Sequence, residues 1–93
     1  MTANQTEEAI TPEKIRSDIQ EFLTTKIEVA PEVEEDLFSS GLITSLFALE
    51  LVTYIEKTYG IEINGVDLKL NNFRTINAMI GLVRRIRAEE NVE

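Results

Sequence analysis

The sequence predicts a small all-α bundle of three main helices, with one short helical turn before the last and a long first loop. Three observations carry that expectation. Two stretches place apolar residues at helical spacing between start and stop signals, a third has a broad apolar face, and "IEIN" is the short alternating segment. With 93 residues the chain is one small domain with a modest core and little room for a deep catalytic cleft.

Residues 1–10 are polar and lack a convincing period, so they are read as a disordered tail, with the domain at 11–88 and a frayed end at 89–93. In "TPEKIRSDIQEFLTTKI", Thr11 fits an N-cap and Pro12 the first helical position, where its missing N–H costs nothing. Ile15, Ile19, Phe22 and Leu23 then form one apolar stripe. From Glu28 to Ile43 helical periodicity is lost, and Pro31, an acidic run and Gly41 mark a long loop. Leu37, Phe38, Leu42 and Ile43 are expected to tie that loop to the helices.

"SLFALELVTYIEKTYG" is the clearest helix, ended by Gly60 where a left-handed cap is required. Ala48, Leu51, Val52, Ile55 and Tyr59 should face the core, while Leu46, Phe47 and Leu49 fall outside that stripe. This helix is more apolar than one core face needs, so its first two turns enter a second buried interface or meet a partner. "IEIN" is too short for a dependable strand, and its isoleucines are expected to pin the returning loop. "GVDLKL" suits one short helical turn. "NFRTINAMIGLVRRIRAEE" gives the last helix, with Thr75 as N-cap and Arg84, Arg85 and Arg87 placed to complement the negative end of its dipole.

The composition narrows the chemistry. Cysteine and histidine are absent, which removes disulfides, Cys/His metal sites, a thiolate nucleophile and the imidazole that usually activates serine. No EF-hand, P-loop or dinucleotide fingerprint is present. No apolar run approaches membrane-spanning length and the start lacks a signal-peptide pattern, so a cytoplasmic protein is expected. Residues 28–67 hold nine acidic side chains against Lys57 alone, a balance of −8 that equals the net charge of the whole chain. That field disfavours nucleic acid and acidic membranes and favours a partner with a basic surface; solubility is the plainer explanation.

Within this acidic segment lies "GLITSL", Gly41 to Leu46. Serine at a helix start is ordinarily a cap, but Thr44 already fits that position, which leaves the Ser45 hydroxyl free. A phosphate ester there would meet unpaired N–H groups and the positive end of the helix dipole. With no base nearby, Ser45 is better placed to be modified than to catalyse.

The stretch "DLFSSGLITSLFALELVTYIEKTYGIEI", Asp36 to Ile63, resembles the centre of an acyl or peptidyl carrier protein. It has the D-L-F-x-x-G approach, a serine then leucine heading a long helix, E-L-V within it, and a glycine before a short apolar return. "DLKLNNFRTINAMIGLV", Asp67 to Val83, is similar to the distal part of the family, so the likeness covers nearly the whole domain. The resemblance implies a small four-helix acyl-carrier-like bundle that is not an enzyme. It also implies covalent 4′-phosphopantetheine on Ser45, donated by coenzyme A through a phosphopantetheinyl transferase with magnesium, whose thiol carries an acyl or aminoacyl thioester.

The implied partners are that transferase, an acyl-loading enzyme, tailoring enzymes and an acyltransferase or synthase, met transiently by a monomer. Leu46 and Leu49 would supply apolar contact near the arm, and Glu50 and Glu56 would meet basic side chains of partners. In place of the family's usual aspartate before the serine stands Thr44, and Gly41 lies one residue further from the serine than is common. The longer spacing resembles discrete carriers, both D-alanyl carriers and those for unusual polyketide units such as glyceryl or substituted malonyl; "SLFALELV" and "NNFRTI" look more like the second group. Outside the family, an unmodified acidic adaptor with Ser45 as a cap and a small hydrolase using Ser45 are the alternatives.

Overall fold

In the computed structural model residues 10–90 are described, and expectations for 1–9 and 91–93 lie outside them. Helices α1 (Pro12–Ile27), α2 (Ser45–Tyr59) and α3 (Ile76–Glu90) pack around one core. The expected short turn is two 3₁₀ turns, Gly65–Asp67 and Leu70–Phe73. Together they occupy the place of the short third helix of the bundle. A single continuous turn does not form because the backbone leaves helical geometry at Leu68 and Lys69, with Lys69 at φ −143°.

Local chemistry sets the helix ends. Thr11 Oγ1 accepts from the Lys14 N–H at 3.1 Å and Pro12 opens α1. Gly60 closes α2 at φ 65°, a conformation without steric cost for glycine. Thr75 Oγ1 accepts from the Ala78 N–H at 2.9 Å, as an N-cap of α3 should. That helix runs through Glu90, two residues past the expected end of the domain.

The apolar stripes meet in one cluster. Ile15, Ile19 and Leu23 of α1, Leu51 and Ile55 of α2, and Ile76, Met79 and Val83 of α3 are buried. Ile61 and Ile63 are buried as expected of a pinned return loop. Val52, expected in the core, is only half-buried, because it faces a surface groove described below.

The long loop is held by hydrogen bonds as well as by Leu37 and Ile43, both buried. The Leu37 N–H donates to the Arg74 carbonyl at 2.7 Å, and the Leu37 carbonyl accepts from Leu42 and Ile43. Asp36 Oδ1 accepts from the N–H groups of Phe38 and Ser39, and its carboxylate pairs with Arg74 at 3.3 Å. The D-L-F sequence thus knits the loop to the second 3₁₀ turn. Those hydrogen bonds and the Arg74 charge hold the Asp36 carboxyl below the usual aspartate range.

Tyrosines join α1 to α2. Tyr59 donates to Asp18 Oδ2 at 2.9 Å, and Tyr54 donates to the Asp18 carbonyl at 3.2 Å. Burial, reinforced by the Asp18 carboxylate, pushes the Tyr59 phenol well above the usual tyrosine range. Arg87 lies in the last turn of α3 as expected and also donates to the Tyr59 carbonyl at 2.8 Å, while Arg85 pairs with Asp67 at 2.8 Å and lies 3.9 Å from Glu89 of its own helix.

Candidate functional site

Gly41 turns the chain at φ 82°, Ile43 anchors it in the core, and Thr44 starts α2 from extended backbone. Thr44 Oγ1 accepts from the Phe47 N–H at 3.1 Å, so the cap is threonine and Ser45 is the first helical residue. The aromatic residues then fix this end of α2 on α1. Phe47 stacks on Phe22 at 6.1 Å, and Phe22 on Tyr54 at 4.3 Å between ring centroids. A held helix end therefore carries an exposed serine.

Among the described residues the Ser45 hydroxyl makes no hydrogen bond and no acceptor takes the N–H groups of Ser45 and Leu46. A phosphate ester on that hydroxyl would stand beside these donors at the positive end of the α2 dipole. The residues present fit an anionic covalent group. They do not assemble a nucleophile, since no side chain among the described residues takes the serine proton in a hydrogen bond.

Leu49 forms a ridge between two surface grooves. On one side, Phe22, Lys26, Glu50 and Tyr54 border a cleft of about 440 Å³ between α1 and α2. On the other, Ser45, Ala48 and Val52 face Leu68, Leu70 and Phe73 across about 260 Å³. Lys69 completes the second groove. Sequence reasoning missed this far wall, because nothing local in "DLKL" signals proximity to a serine over twenty positions earlier.

The residues expected to meet partners separate into two sets. Leu46 is 76% and Leu49 57% exposed, which places the excess apolarity of α2 at the surface beside Ser45. Phe47, by contrast, is spent on the contact with α1. Glu50 is exposed and makes no hydrogen bond or ion pair among the described residues. Glu56 is half-buried, and its Oε2 accepts the Ile63 N–H at 2.8 Å, which gives it a structural task at the return loop.

The bundle thus holds a helix end that presents an exposed, unbonded serine hydroxyl beside the exposed Leu46 and Leu49. The phosphopantetheine attachment site family matches residues 13–83. The chain belongs to that family of carrier domains and is a carrier, not an enzyme. Its prosthetic group is covalently attached 4′-phosphopantetheine, and carrier domains of this kind are modified by phosphopantetheinyl transferases and meet loading and synthase enzymes. Family membership thereby displaces the hydrolase and unmodified-adaptor alternatives. No curated protein matches the chain in sequence. Among the described residues no helix is long and apolar enough to cross a membrane.

Proposed function

We propose that Ser45 is the attachment residue and that the chain is a discrete acyl carrier protein of polyketide or related secondary-metabolite biosynthesis, working as a cytoplasmic monomer. The observation that carries this reading is the exposed Ser45 hydroxyl, left unbonded because Thr44 caps α2. Attachment forms a phosphodiester at Ser45 Oγ, breaks the pyrophosphate bond of coenzyme A, and releases adenosine 3′,5′-bisphosphate. The serine proton leaves to a base of the transferase or to water. When bound, the group supplies a thiol that this cysteine-free chain lacks.

Ser45 orients the arm, and Thr44 keeps the helix end closed without competing for the modification. Leu46, Leu49 and Glu50 form the docking face, with the acidic balance of residues 28–67 steering basic partner surfaces. Glu56 contributes its charge to that field while its carboxylate stays on Ile63. A glyceryl or substituted-malonyl unit is the proposed cargo, supported by the likeness of "SLFALELV" and "NNFRTI" to carriers of such units. The spacing from Gly41 to Ser45 favours a D-alanyl or other aminoacyl carrier as the second reading.

Intact-protein mass tests the attachment. Wild type incubated with coenzyme A, magnesium and a broad-specificity phosphopantetheinyl transferase should gain one phosphopantetheine, and Ser45→Ala should gain none. Equal gain by Ser45→Ala would assign another hydroxyl. Loading of the modified protein by purified adenylating enzymes, against loading by glyceryl or malonyl-type transferases, then separates the two cargo classes.

A further inference from the structure

Among the described residues, the groove that contains Ser45 has one charged side chain in its wall, Lys69. Its backbone is fixed on both sides: the Lys69 N–H donates to the Asp67 carbonyl at 3.1 Å, and its carbonyl accepts from Asn72 at 3.0 Å. Asp67 is itself tied to α3 through Arg85. The Lys69 ammonium, however, is exposed and makes no hydrogen bond or ion pair among the described residues. Positioned backbone and unpaired charge thus coincide across the groove from Ser45.

The surroundings make this cation unusual. Residues 28–67 carry nine acidic side chains against Lys57 alone, a field that repels an anion placed on Ser45. A phosphodiester is an anion, and among the described residues every lining residue of the groove other than Ser45 and Lys69 is apolar.

We propose that Lys69 is a positioning residue for the prosthetic group, its ammonium pairing with the phosphodiester formed on Ser45 and laying the first part of the arm along this groove. The inference rests on Ser45 being the attachment residue. An exposed ion pair contributes little energy between free partners. Here the anion is tethered in a groove that Lys69 also lines, so pairing is an intramolecular event at raised effective concentration, which favours even a weak contact. The consequence is a bias in the direction the arm leaves α2, toward the 3₁₀ turns and away from the α1 cleft.

Lysine reactivity tests the proposal without any partner enzyme. Apo and modified protein are acetylated with limiting reagent at ~0.1 M salt, where screening acts over about 10 Å, and each lysine is followed by peptide mass. Lys57, twelve residues along α2 and so ~18 Å from Ser45, is the internal reference. Lys69 should react about threefold more slowly in the modified protein, with Lys57 unchanged, and the difference should shrink at ~1 M salt. Equal Lys69 rates in apo and modified protein would overturn the pairing. Protection undiminished at ~1 M salt would also overturn it, since cover by the arm alone is insensitive to salt. Attachment is read separately from intact mass, so absence of the mass gain identifies failure at Ser45, and a gain without Lys69 protection identifies failure of the ion pair alone.

Discussion

Glu56 offers the sharpest test, because a structural and a docking role for it make opposite demands. Its carboxylate accepts the N–H of buried Ile63 at 2.8 Å, and its backbone carbonyl accepts the Ile61 N–H at 3.2 Å. Glu56→Ala removes the side-chain acceptor and leaves the Ile63 N–H without it. Hydrogen bonds to charged groups contribute ~1.5–3 kcal/mol, and a few tenths return because alanine is the better helix former. With partial exposure discounted, a net loss of about 1–2 kcal/mol is expected. Urea unfolding should show a midpoint lowered by about 1 M at unchanged slope.

Glu56→Gln keeps an oxygen acceptor at nearly the same place and should lose less than about 1 kcal/mol. Amide exchange at Ile63 supplies a local readout: about tenfold faster in Glu56→Ala and close to wild type in Glu56→Gln. Equal destabilisation by both substitutions, or an Ile63 amide indifferent to Glu56→Ala, would refute the structural assignment. If Glu56 also adds to the docking field, Glu56→Gln should slow encounter with a basic partner at low salt while leaving stability nearly intact.

Three further expectations follow from the same geometry. Thr44→Ala should cost about 1 kcal/mol in urea unfolding through loss of the cap to Phe47, while intact mass still shows modification at Ser45. Asp36 has a folded carboxyl pKa below its ordinary value, so its contribution is complete above the unfolded aspartate pKa of ~3.9 and is lost as pH falls through the lower folded value. The stability gap between wild type and Asp36→Asn should therefore be present at neutral pH and close in acid; a gap constant with pH would contradict the assignment. Tyr59 is raised instead, so its contribution is complete below the unfolded tyrosine pKa of ~10 and declines as pH rises beyond it. Ultraviolet titration should show Tyr59 ionising only as the protein unfolds in alkali, and Tyr59→Phe should weaken that alkaline dependence.

The features legible in the sequence were those that chemistry makes local. Thr11, Thr44 and Thr75 cap helices with bonds that span three residues, and Gly60 meets a requirement of its own backbone. The buried faces of α1 and α2 followed from periodicity, except at Phe22 and Val52, where surface grooves replace the packing that the stripes imply. The freedom of the Ser45 hydroxyl was readable for the same reason, since one adjacent threonine satisfies the cap. Periodicity also flagged Leu46, Phe47 and Leu49 as surplus to the core, but it could not divide them. Phe22, on another helix, claims Phe47 and leaves the two leucines at the surface.

By itself, then, the sequence determined three helices, their N-caps, one core and a serine hydroxyl left free of the cap, because each depends on neighbours a few residues away. Tertiary structure alone decided that Glu56 serves Ile63, that Arg85 and Arg87 also bind Asp67 and Tyr59, and that Lys69 shares a groove with Ser45. Those pairings join charges to partners on other segments. Their selection rests on distance and burial in three dimensions, and spacing along the chain carries no record of either.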